Sequence, residues 1–108
     1  LLNQALFLCI HNLWSAPTAM LFEWDENKAK TNRAKHGVDF AIAPSFDFAN
    51  AVIRLDDSED FGEDRLVAIG LIEAGVYVMV YVERSHAIRV ISPRKATRQE
   101  ITDYVENL

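Results

Sequence analysis

The residues of this chain that could carry chemistry are basic: His36, Arg65, Arg89 and Arg94, with lysines around them. Other kinds of site lack their parts. His11, His36 and His86 have no ligand-like spacing to one another or to Cys9, so neither a metal centre nor a cofactor is expected. No serine or cysteine nucleophile stands with an adjacent base, and there is no glycine-rich phosphate loop. Arginine, lysine and histidine near strand ends and loop edges are the minimal kit for cutting RNA without a metal. In that reaction the 2′-OH attacks the neighbouring phosphorus. A base takes the hydroxyl proton, an acid protonates the leaving 5′ oxygen, and cations stabilise the charged phosphorane. Histidine suits the proton transfers because its ordinary pKa is near neutrality. Arginine suits the phosphorane because its planar fork matches phosphate oxygens. Arg65 opens a predicted strand just after an acidic loop. Arg89 lies on the last predicted strand between Ile88 and Val90, and Arg94 follows its end. The competing reading of each arginine is a surface salt bridge to the acidic loop.

The element that must position His36 is FEWDENKAKTNRAKHGVDF, Phe22 to Phe40. Asp25 is a good helix N-cap, Glu26 adds negative charge at the positive end of the dipole, and Gly37 is a good helix stop. Lys28, Asn32 and His36 recur every fourth residue and so share one ridge. Only Ala29 and Ala34 are apolar, so the helix faces water or presents its side chains to a partner. Trp24, just before the ridge, is read first as core and second as a platform for stacking a base.

The chain has 108 residues, one domain's worth, and half are apolar. Its net charge of −5 argues against a simple polyanion binder. The distribution argues the other way. All of the 11 basic residues except Arg54 and Arg65 fall in two acid-free windows, 28–35 and 84–98. Asp56, Asp57, Glu59, Asp60, Glu63 and Asp64 crowd into one loop. Local potential governs how a polyanion is met, so a basic face with an acidic edge is expected. The single cysteine fits a reducing compartment, and no apolar run approaches the roughly 18 residues of a membrane span. Residues 1–19 carry no charge and precede the first methionine, Met20. They are read as an upstream extension or expression remnant outside the fold, with a signal peptide as the rival reading; residues 20–108 are the domain.

From Met20 the expected order is a short strand, the helix to His36, a short helix capped by Asp39 and disturbed by Pro44, and four strands: 51–55, 65–72, 76–82 and 86–92. Glu73-Ala74-Gly75 and Glu83-Arg84-Ser85 are tight turns, so the last three strands form an antiparallel meander. The very apolar strand 76–82 belongs at the centre, and Pro93 ends the sheet. Thr97 and Glu100 match a capping box, opening a helix that packs Ile101, Tyr104 and Val105 on the core. The fold class is α+β: an antiparallel meander with the N-terminal helix or helices and the C-terminal helix on one face.

Three segments, FEWDENKAKTNRAKHGVDF, GEDRLVAIG and RVISPRKATRQEITDY, together resemble the BrnT family of ribonuclease toxins from type II toxin–antitoxin systems, over about residues 20–106. The resemblance implies a RelE-like fold and a metal-independent endoribonuclease of the cytoplasm that inhibits translation. It implies a BrnA-type antitoxin whose ribbon-helix-helix part binds operator DNA, no direct DNA contact by this chain, and no membrane partner. It puts His36 forward as the acid–base group, Arg65 and Arg94 as phosphate stabilisers, and Glu63 as a second candidate base. Lys28, Lys35, Arg89 and Arg98 would hold the RNA backbone, with Trp24 as a possible base platform. The alternative is a non-catalytic relative that binds an antitoxin and acts as a transcriptional co-regulator.

Overall fold

The computed structural model describes residues 2–8, 19–56 and 62–107, with 2–8 and 19–20 described as backbone alone. Asp57, Glu59 and Asp60 of the acidic loop, and Cys9 and His11, lie outside the described residues. The elements are β1 (Leu2–Leu8), β2 (Ala19–Asp25), α1 (Glu26–His36), 3₁₀ helices at Phe40–Ser45 and Phe48–Asn50, β3 (Val52–Asp56), β4 (Arg65–Ile72), β5 (Gly75–Arg84), β6 (Ala87–Lys95) and α2 (Arg98–Glu106).

The local signals around α1 work as the sequence predicts. The Asp25 carboxylate accepts from the N–H groups of Asn27 and Lys28 at 2.8 and 3.3 Å. Those two bonds, the Asn27 one first, hold its pKa below the ordinary carboxylate value. Gly37 takes φ +70° and donates its N–H to the Arg33 carbonyl at 2.8 Å. Asp39 caps the next segment by accepting from Ala41 N–H at 2.9 Å. With Pro44 inside it, that segment winds as a 3₁₀ helix.

The sheet has six strands in the order β1-β2-β6-β5-β4-β3, with the apolar β5 inside it. It is mixed, which corrects the all-antiparallel expectation. β3 to β6 form antiparallel ladders, but β2 lies parallel to β6, with Leu21 opposite Ala87 and Glu23 opposite Arg89. Turn residues announce hairpins, whereas a parallel pair between strands so far apart in sequence leaves no local mark. Residues 2–8 fall in the stretch expected to stand outside the fold. Their backbone pairs along β2, which offers an open row of N–H and C=O groups there.

The helices cover both faces of the sheet, a second correction. Strand alternation separates neighbouring residues into two clusters. Ala68 and Met79 join Phe22, Trp24, Ala29, Phe40, Ala43, Phe46, Tyr81, Ile88 and Val90 in the larger one. Ile69 and Val78 join Tyr104 of α2 in the other. The larger cluster is built on rings: Phe48 meets Phe46 and Tyr81 edge-on at 4.7 and 5.2 Å. Gly70 makes room for it, since a Cβ there would lie 2.8 Å from the Phe46 ring. Of α2 itself only Tyr104 is buried. Ile101 and Val105, expected to pack, are 39% and 58% exposed. A nine-residue helix lying on a sheet buries one narrow stripe, and Glu100 and Tyr104 occupy it.

β6 runs through Pro93 to Lys95 rather than stopping before the proline. β2 accompanies it only as far as Arg89, so Pro93 has one strand neighbour, and proline is tolerated at such an edge. β6 also carries a bulge. Val80 faces Ser92 while Tyr81 faces Val90, so Ile91 is the extra residue.

Candidate functional site

The bulge decides where the arginines go. Arg89 and Arg94 are five residues apart, an odd spacing that would put them on opposite faces of a regular strand. With Ile91 extra, Arg89 stands opposite Val82 and Arg94 opposite Val78, and both stand on the α2 face. Arg65 precedes Leu66, whose side chain joins the larger cluster, so alternation turns Arg65 to the α2 face as well. Leu66 is opposite Tyr81, so continuing the register sets Arg65 level with Val82, whose other neighbour is Arg89. Arg65 and Arg89 thus stand two strand spacings apart, about 10 Å between Cα atoms, and Arg94 about 14 Å further along. The structure brings the three candidate arginines onto one face.

Their surroundings differ. Arg94 donates through Nη1 and Nη2 to Oε1 and Oε2 of Glu100, both at 2.8 Å, and through Nη1 to the Lys95 carbonyl at 3.4 Å. The same Glu100 Oε1 accepts from Thr97 N–H at 2.8 Å, and Thr97 Oγ1 accepts from Glu100 N–H at 3.2 Å. The capping box read from the sequence is therefore also the clamp that fixes α2 to β6. The pairing raises the Arg94 pKa and pushes the Glu100 carboxyl down to about 2. Arg65 faces Asp56 across the β3–β4 ladder. The half-buried Arg89 side chain makes no hydrogen bond or ion pair among the described residues. Arg84 on β5 bridges Glu23 of β2 at 3.7 Å and Glu63 at 3.6 Å, which occupies the second candidate base. Glu63, Asp64, Leu66, Val82, Glu83 and Arg84 line an open cavity of about 480 Å³ beside the arginine row.

Because the Glu100 pKa falls on folding, its contribution is present above pH 4.5 and is lost as pH drops from 4.5 towards about 2. Allowing for solvent around this pair, the loss is about 1–2 kcal/mol. Melting temperature measured across that window should fall, and should fall less in Glu100→Gln.

His36 is not joined to the arginines. It ends α1, whose Ala29 packs in the larger cluster, and its side chain makes no hydrogen bond or ion pair among the described residues. One turn earlier on its ridge, Asn32 is buried and fully engaged. Its Nδ2 donates to the Pro93 carbonyl at 2.8 Å and the Val38 carbonyl at 3.3 Å, while its Oδ1 accepts from Ser92 Oγ at 2.8 Å. This network ties the helix carrying His36 to the β6 rim, next to Arg94. Lys28, Lys35 and Arg98 are exposed and form no ion pair among the described residues. Trp24 is 5% exposed and meets Phe40 edge-on at 6.1 Å. As core, it has no free face on which a base could stack, which corrects its place among the RNA-binding candidates. Sequence reasoning missed Glu100 as the partner of Arg94 and Asn32 as the keystone of the α1–β6 contact. The signals were present: the second carboxylate oxygen of a capping-box glutamate, and a lone amide facing a bulged strand.

Among the described residues no helix is long and apolar enough to cross a membrane. Comparison with curated proteins gives no match. Residues 24–100, most of the chain, match the family described as "Ribonuclease toxin, BrnT, of type II toxin-antitoxin system". The matched span runs from Trp24 to Glu100, from the rings under α1 to the carboxylate that clamps α2, and the chain belongs to the BrnT family of type II toxin–antitoxin ribonuclease toxins.

Proposed function

We propose that the protein is a metal-independent endoribonuclease that cuts RNA by 2′-OH attack, on a RelE-like scaffold, in the cytoplasm. One division within the motif residues carries this reading. Trp24, Asp25, Asn32, Gly37, Ser92 and Glu100 are engaged in packing, caps and hydrogen bonds. The side chains of Lys28, Lys35, His36 and Arg89 make no hydrogen bond or ion pair among the described residues, so folding leaves them available. In this scheme RNA crosses the β6 rim. Arg89, Arg65 and the open edge of Arg94 meet phosphate on one side of it, and His36, Lys35 and Lys28 meet the strand from α1. His36 exchanges the protons, Arg94 stabilises the phosphorane, and Arg65, about 17 Å from Arg94 by the same strand spacings, meets a neighbouring phosphate. Arg89, Lys28, Lys35 and Arg98 position the backbone without reading its sequence. The partner is a BrnA-type antitoxin with a ribbon-helix-helix part, which alone touches operator DNA and neutralises the toxin.

The purified protein should cut RNA equally well with and without EDTA, leaving a 2′,3′-cyclic phosphate. A 2′-deoxy residue at the cleavage position should block the cut. Loss of cutting in EDTA, or cleavage of the 2′-deoxy substrate, would overturn the mechanism. The non-catalytic reading has one observation in its favour: Arg94 is already neutralised by Glu100. Antitoxin binding without any RNA cleavage would favour it.

A further inference from the structure

We propose that Glu100 is a positioning residue of the RNA site, acting through Arg94; the inference rests on the ribonuclease reading above. A guanidinium has five N–H donors. Glu100 takes one from each terminal nitrogen end-on, and the second hydrogen of Nη1 points to the Lys95 carbonyl. That leaves Nε–H and the second hydrogen of Nη2, which lie together on the side edge. This edge matches two phosphate oxygens in the bidentate manner. Glu100 is itself held by the Thr97 N–H at the start of α2, so its carboxylate cannot swing away without breaking the cap. The arginine side chain is also the more open partner, 31% exposed against 15% for the glutamate. The pair therefore contributes little net charge at a distance but sets the direction of two donors on the face shared with Arg65 and Arg89.

This arrangement makes a prediction that simple electrostatics would reverse. Glu100→Gln adds a net positive charge to the face and keeps an oxygen for the Thr97 cap. Charge alone would make the variant bind and cut RNA better. Loss of positioning lowers kcat about 10- to 100-fold with KM unchanged or lower. Melting and circular dichroism of the same protein confirm that it is folded at the assay temperature. Chemical rescue supplies the second arm. Arg94→Ala is expected to regain activity when guanidinium ion is added, because the Glu100 carboxylate can seat it. The Arg94→Ala, Glu100→Gln double variant should regain none. Wild-type protein that cuts RNA while Glu100→Gln cuts equally fast would overturn this inference alone, as would rescue indifferent to Glu100. Wild-type protein that cuts no RNA would overturn the ribonuclease reading and this inference with it.

Discussion

His36→Ala is expected to lower the rate of RNA cleavage by about 100- to 10,000-fold, the usual range for loss of a general acid or base. The fold should survive, since His36 is only half-buried and its side chain forms no hydrogen bond or ion pair among the described residues. The melting temperature should move by only a degree or two, about 0.5 kcal/mol or less. Single-turnover cleavage at several pH values checks the assignment. An imidazole acting as base or acid puts a limb in the wild-type profile that the alanine variant lacks. If the variant cuts at the wild-type rate, the proton carrier is elsewhere. His86, exposed in the turn between β5 and β6, is then the remaining histidine of the described residues. Arg89→Ala provides a contrast. It removes a half-buried cation with no side-chain partner among the described residues, so it should weaken RNA binding and flatten its salt dependence rather than change proton transfer.

Asn32→Ala is expected to be the most damaging single polar substitution in the fold, at about 3 kcal/mol. It leaves the Pro93 and Val38 carbonyls and the Ser92 hydroxyl without the partner they have now. For a domain of this size that is a fall of about 12–24 °C in melting temperature. Asn32→Asp separates hydrogen bonding from volume: it keeps an acceptor for Ser92 but turns a carboxylate oxygen towards two carbonyls. It should be at least as unstable as the alanine variant near neutral pH. A thermal melt of either variant within 3 °C of wild type would show that the network does not hold α1 to β6.

Much of this architecture could be read from local chemistry. Asp25, Gly37, Thr97 and Glu100 mark helix ends through the donors and acceptors they satisfy, and each does so in the structure. The strands and their hairpins follow from apolar runs separated by turn residues, with ends shifted by a few residues. What was not legible is non-local. The parallel β2–β6 pair joins residues 21–23 to residues 87–89, far apart in the chain. The Ile91 bulge has no residue signature, yet it alone puts Arg89 and Arg94 on one face. The candidate site was legible as a set of residue types and not as an arrangement. Arg65, Arg89 and Arg94 share a face, whereas His36 reaches them only through the contact that Asn32 makes with the β6 rim. The Arg94–Glu100 pair was missed for the same reason: a cation looks available in a sequence until its neighbours in space are known.

The pairing of β2 with β6 also imposes an order on biosynthesis. β2 leaves the ribosome early, but its parallel partner starts only at Ala87, after three other strands. Contacts spanning such a separation close late, after the hairpins of β4, β5 and β6. Arg89 and Arg94 lie on that last strand, and Glu100 comes after it. A nascent chain therefore carries no assembled arginine face until β6 and the start of α2 have been made.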